Sequence, residues 1–143
     1  EEVPVHIARN KAKAIGDNNK IILAADTVVV LNNEIIGKPA DREDAINILS
    51  RLSGKTHLVI TGVVILKGGK EIAFYDTTEV EFHELTPGEI AFYVDKYEPY
   101  DKAGAYAIQE WIGVVGIKKI TGDFYNVMGL PVSRVVKNLQ ELG

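Results

Sequence analysis

Two rhythms of apolar and polar positions run along this chain. Val3, Ile7, Ala8, Ala14 and Ile15 share one broad arc at the helical repeat, which predicts a helix over Val3–Ile15 with Lys11 inside the arc. Gly16–Asn19 is a turn that stops it. Ile21–Leu31 is β-branched and apolar at almost every position, the pattern of a strand covered on both faces. Asn32-Asn33 turns the chain into a short return strand at Glu34–Ile36, and Gly37-Lys38-Pro39 forms a tight loop. Asp41 caps a helix to Leu52 that faces inward through Ala45, Ile48, Leu49 and Leu52. His57–Leu66 and Glu71–Phe82 pair as a hairpin around Gly68-Gly69. Thr86-Pro87-Gly88-Glu89 opens a helix to Lys96 with a capping box. Strands are predicted at Ala105–Ile108 and Gly113–Ile120, and an extended segment at Phe124–Met128. Pro131 starts a last helix with Val132, Val135, Val136 and Leu139 toward the core. Helices alternating with apolar strands define an α/β class.

Composition narrows the class. The 143 residues suit one domain, and 46% hydrophobic with 25% charged residues is ordinary globular usage. The net charge of -4 speaks against a nucleic-acid or anionic-membrane binder. With no cysteine, disulfides, thiolate metal sites and a cysteine nucleophile are excluded, and a reducing cytoplasm is expected. No apolar run is long enough to span a bilayer.

Several residues break their local pattern. Asp26 sits mid-strand among Ala24, Ala25, Val28 and Val29, where a carboxylate must be paired, bound to a cation or protonated. It reads either as the cap of a following turn or as a general base or metal ligand at a strand end. Thr27 points to the opposite face, or into the same site if the strand ends there. Lys11 either snorkels to solvent or aims at a phosphate or at Asp26. Gly37-Lys38-Pro39 is either a surface turn or a stiff loop presenting Lys38, and it is no Walker loop. Gln109 is either a solvated strand end or an amide able to read a base edge. Asp101-Lys102 reads as a surface ion pair. Trp111 suits packing, a dimer contact or base stacking. His6, His57 and His83 lack ligand spacing, and no serine has a nucleophile-elbow context.

Ala25-Asp26-Thr27-Val28-Val29, Ile36-Gly37-Lys38-Pro39, Leu52-Ser53-Gly54-Lys55-Thr56-His57 and Thr61-Gly62-Val63 follow one another in that order. Asp101-Lys102-Ala103-Gly104-Ala105-Tyr106-Ala107-Ile108-Gln109 and Asn126-Val127-Met128-Gly129-Leu130-Pro131 come later. Together these blocks resemble the Maf family of nucleoside triphosphate pyrophosphatases, and Ile7-Ala8-Arg9-Asn10-Lys11-Ala12 resembles its Lys-Ala helix. The resemblance implies a mixed central sheet flanked by helices with a cleft, related to inosine triphosphate pyrophosphatases. It implies hydrolysis between the α and β phosphates with Mg²⁺ or Mn²⁺. Asp26 matches the proton acceptor and would also hold the metal, Lys11 and Lys38 match lysines lining the triphosphate site, and Thr27 and Gln109 match positions tied to base choice. Ala105-Tyr106-Ala107-Ile108-Gln109 resembles the branch that prefers dTTP and UTP. A homodimer is implied, with a nucleoside triphosphate as partner and no membrane or nucleic acid.

The physics agrees: a triphosphate carries about four negative charges, which two lysines and a divalent cation offset. The family pattern opens with a strand and a phosphate loop resembling Ala-Ser-x-Ser-Pro-Arg-Arg, and then an Asp-Glu pair. Neither is in this sequence, so residues 1–143 are expected to form a single Maf-like domain without that strand and loop. The alternative reading is a non-catalytic nucleotide-binding regulator linked to septum formation.

Overall fold

A computed structural model of the chain describes residues 2–15 and 20–142. The turn expected at Gly16–Asn19 lies outside the described residues. Helix α1 (Glu2–Ile15) precedes the hairpin of β1 (Ile21–Leu31) and β2 (Glu34–Ile36). Then follow α2 (Arg42–Leu52), β3 (Thr56–Lys67), β4 (Lys70–Phe82) and α3 (Pro87–Tyr97). A 3₁₀ turn at Ala103–Ala105 leads to α4 (Trp111–Gly116), β5 (Ile117–Thr121), α5 (Phe124–Met128) and α6 (Val132–Leu142). The five strands form one sheet in the order β2-β1-β3-β4-β5, and the helices flank it, which is the expected α/β class. No helix among the described residues is long and apolar enough to cross a membrane.

The chain divides into two compact units, and β1, β3 and β4 each contribute to both. The first unit comprises Glu1–Thr27, Ile60–Thr77 and Asp123–Gly143. Here the strands are packed on both faces. Ala8 and Ala12 of α1 bury against Ile22, Ala24 and Val64, while Val135 of α6 buries against Val63 and Ile65, with Ala25 and Leu139 beside it. Within this part of β1, Ile22 and Ala24 therefore face α1 and Ala25 faces α6. The buried line of α1 is Pro4, Ala8 and Ala12: of the expected arc Ala8 is buried and Ile7 half-buried, while Val3, Ala14 and Ile15 are exposed. Small residues are buried because the helix comes very close: a Cβ on Gly62 would lie 2.2 Å from the Val5 nitrogen. Coverage of β1 is also thinner than its apolar run predicts, since Ile21 and Leu23 are exposed. In α6 only Val135 is fully buried, and Val132 and Val136 are exposed.

The second unit comprises Val28–Val59 and Thr78–Gly122. Asn32 and Asn33 adopt positive φ, which closes the β1–β2 hairpin and pairs Val29 with Ile36 and Leu31 with Glu34. The Asp41 carboxylate accepts from the Asp44 amide to cap α2, whose buried face is the expected Ala45, Ile48, Leu49 and Leu52. The capping box of α3 is complete: Thr86 Oγ1 accepts from the Glu89 amide and Glu89 Oε1 accepts from the Thr86 amide. β5 pairs antiparallel with β4, Val80 opposite Ile120.

Three expected extended segments take other forms. Ala105–Ile108 is no strand, because Gly104 and Ala105 both have positive φ and the Gly104 amide donates to the Gly37 carbonyl at 3.2 Å. Residues 111–116 are helical before β5 begins, and Gly113 makes that shape admissible, since a Cβ there would sit 1.7 Å from the Ile108 carbonyl oxygen. Phe124–Met128 is a helical turn, capped by the Asp123 carboxylate at 2.9 Å from the Tyr125 amide and ended by Gly129 at φ 123.

His57 is structural, as its spacing suggests. Its ring lies edge-on to Phe82 and Tyr106, and Nε2 is 2.6 Å from the Tyr106 hydroxyl. Burial pushes its pKa from 6.5 down to about 4. The unfolded chain therefore binds a proton that the native state refuses between those values. This contribution to stability is whole above pH 6.5 and drains as pH falls toward 4, by about 3 kcal/mol. Urea unfolding at pH 7 and pH 4.5 is expected to show the loss, and His57→Leu to remove this part of the pH dependence. Independently, Gly62→Ala is expected to cost about 3 kcal/mol or more through overpacking, while Gly69→Ala, with nothing within 4 Å, stays near neutral. Denaturant midpoints check both.

Candidate functional site

The half-buried Asp26 is paired. The Lys11 ammonium reaches back from α1 and donates to Asp26 Oδ1 at 3.1 Å and to the Ala25 carbonyl at 3.4 Å. Of the two readings of Lys11, the structure takes the one that aims it at the carboxylate. The pair is open to solvent, with 53% of the lysine side chain and 21% of the aspartate side chain exposed. A partly exposed pair of this kind contributes little to stability. It does hold a base-capable group and a cation side by side, within reach of a ligand.

Thr27 lies on the other face, because β1 continues to Leu31 and does not end at the site. Its hydroxyl meets Thr61 Oγ1 at 2.9 Å, and Thr61 in turn donates to the Asn126 carbonyl at 3.3 Å. A carbonyl can only accept, so the Thr61 proton is spent on Asn126 and Thr27 must donate to Thr61. The Asn126 side chain donates to the Asp76 carbonyl at 3.1 Å. Thr61 and Asn126 are fully buried. The sequence blocks contain both residues, yet their support of Thr27 escaped the local pattern. Thr61 reads there as an ordinary strand residue, and Asn126 belongs to a segment expected to be extended.

Lys38 and Gln109 belong to the second unit. Pro39 and Ile36 are buried on either side of the exposed Gly37-Lys38 pair, so the loop is anchored while the lysine stays in solvent. The bond from the Gly104 amide to the Gly37 carbonyl ties that loop to the segment leading to Gln109. Gly104 itself packs on Val29, where a Cβ would come within 2.8 Å. Gln109 is exposed in a turn between the buried Ile108 and α4, and so does not close a strand. Asp101 and Lys102 form the expected surface pair at 3.3 Å. Trp111 packs in an aromatic group with Phe92 and Tyr93.

Among the described residues, no three histidine or acidic side chains gather into a metal cage. Asp26 offers one carboxylate. That suits an ion such as Mg²⁺, which keeps its waters and binds through one or two carboxylates and substrate phosphates.

A five-stranded sheet flanked by helices is the α/β class that the sequence predicts. The family model described as Maf-like protein matches residues 1–142, and the chain belongs to that family. A dTTP/UTP pyrophosphatase of Cytophaga hutchinsonii is 49% identical over 143 residues, covering 99% of this chain and 66% of that protein. One from Bacteroides thetaiotaomicron is 46% identical over 144 residues, covering 99% of this chain and 75% of its own length. One from Porphyromonas gingivalis is 45% identical over 148 residues, covering 100% and 74%. The chain thus spans about two thirds to three quarters of the length of these curated relatives.

Thr61→Val is nearly isosteric and removes both the acceptor of the Thr27 hydroxyl and one donor to the Asn126 carbonyl, which keeps the Gly129 amide. It is expected to cost about 1–3 kcal/mol, read from urea unfolding, whereas Thr61→Ser should recover most of the loss.

Proposed function

We propose that this chain belongs to an enzyme that hydrolyses dTTP and UTP to the monophosphate and pyrophosphate. The observation that carries the reading is the Lys11–Asp26 pair at 3.1 Å, in a chain whose relatives bear that activity in their names. Asp26 is the general base, taking a proton from water as its oxygen attacks phosphorus. Lys11 has three N–H donors. Two serve Asp26 and the Ala25 carbonyl, which leaves a third for a phosphate oxygen. Lys38 brings a second cation on an anchored loop. Asp26 would hold a divalent cation, Mg²⁺ or Mn²⁺, whose charge would offset the polyanion and polarise its P–O bonds. Gln109 donates and accepts at once, which matches the O4 and N3–H edge of uracil or thymine. Thr27, on the opposite face, acts through the strand as a positioning residue. The proposal includes a homodimer acting in the cytoplasm, a compartment that suits a chain without cysteine.

Pyrophosphate release from UTP and dTTP by the intact protein is the direct test. Asp26→Asn is expected to lower kcat by about 10²–10⁴ with little change in KM, and an unaltered rate would remove Asp26 as the base. Calorimetric binding of UTP without any pyrophosphate release would turn the reading toward a regulator. Gln109→Ala is expected to lower kcat/KM for UTP by roughly ten- to a hundredfold while sparing CTP.

A further inference from the structure

Gln109 stands at the third position of a four-residue turn. The Glu110 amide donates to the Ala107 carbonyl at 3.1 Å and closes it. The second position, Ile108, is buried, and Gln109 is exposed. A side chain at such a place ordinarily moves with its turn. This turn is gripped from below by one group. The fully buried Tyr93 hydroxyl donates to Glu110 Oε1 at 2.5 Å and accepts from the Ala107 amide at 3.1 Å. Its single proton and a lone pair thus bind the residues at the two ends of the turn. The Tyr93 ring is fixed in its turn by stacking on Tyr97, with centroids 5.1 Å apart, and more distantly on Trp111. Gly113 seats α4 directly on the Ile108 carbonyl and blocks the turn from moving the other way. Burial and the Glu110 carboxylate both push the phenol pKa up, so the donor stays protonated across the working pH range.

We propose that Tyr93, with Glu110 as its partner, is a positioning residue for base choice: its hydroxyl locks the Ala107–Glu110 turn so that the Gln109 amide meets the pyrimidine edge in one orientation. The inference rests on the reading of Gln109 as the base reader. Two simultaneous hydrogen bonds to O4 and N3–H need both direction and distance, and a tilted amide loses the preference before it loses the substrate. Cytosine presents the reverse pattern of donor and acceptor at that edge, so CTP is the natural comparison.

The test is kcat/KM for UTP and CTP on the intact protein. Tyr93→Phe keeps the ring and its stacking and deletes only the hydroxyl. It is expected to lower the UTP to CTP ratio by about tenfold through the UTP value, while kcat on CTP holds. Glu110→Ala, at the half-exposed rim, should do the same if Tyr93→Phe folds poorly, and Glu110→Gln, which retains an acceptor, should restore the ratio. A merely structural role would lower both substrates alike and leave the ratio standing. An unchanged ratio in Tyr93→Phe and Glu110→Ala, beside a collapsed ratio in Gln109→Ala, overturns the positioning role and leaves the base reader in place. An unchanged ratio in Gln109→Ala overturns the base reader and this inference with it.

Discussion

Helix α1 lies on Gly62 with no room for a side chain between them. The backbone of Pro4 and Val5 occupies the space a Cβ would take, and Ala8 and Ala12 continue the contact with side chains small enough to keep the axis low. Lys11 depends on that closeness. Standing beside the Ala8–Ala12 line, its ammonium reaches both the Ala25 carbonyl and the Asp26 carboxylate. A bulkier residue at 62 or along that line would lift the helix, and the cation would part from the carboxylate. The hydrophobic contact is therefore also the electrostatic one. The seam that buries α1 is what sets a charge of one sign against a charge of the other on the first unit's surface.

The strand then divides the labour between its faces. Asp26 faces α1 and solvent, while Thr27 faces inward, where its hydroxyl joins Thr61 and the Asn126 carbonyl. Each hydroxyl has one proton and the Asn126 carbonyl can only accept, so the order of donors runs from Thr27 to Thr61 to Asn126. Such a chain resists sliding of β1 against its surroundings. It supports a carboxylate on the other face without touching whatever that carboxylate binds.

Much of this was legible residue by residue. The Asp41 and Thr86 caps, the Asn32-Asn33 turn and the buried face of α2 follow from local chemistry, because each is settled within four or five residues. The anomaly of Asp26 was visible as a carboxylate in an apolar run, and Lys11 as a cation on an apolar arc. Their pairing is a tertiary fact, set by the packing of α1. The face of α1 follows its expected arc only at Ala8 for the same reason: periodicity favours Val3 and Ile15, whereas close approach buries Ala8 and Ala12. Thr61 could not announce itself, because only the partner across the strands gives its hydroxyl a task.

The failures of local reading concentrate between residues 105 and 128, and there the backbone obeys contacts in place of propensity. Gly113-Val114-Val115-Gly116 has the β-branched content of a strand, yet the segment is helical because Gly113 lets it sit on the Ile108 carbonyl. Ala105 takes a left-handed φ that alanine rarely adopts, held between Gly104 on Val29 and the buried Tyr106. Tertiary contacts that override local preference must be worth more than the preference they defeat, by roughly 1 kcal/mol or more per residue. Here they come from buried groups that would otherwise be unsatisfied: the Ala107 amide on Tyr93, the Tyr93 proton on Glu110 and the Gly104 amide on Gly37. The outcome of that conflict is a turn pinned at both ends with one polar side chain left outside it, Gln109. Conflict between local and global preference is expected where a chain serves a site, and in the second unit it ends at the residue proposed to read the base.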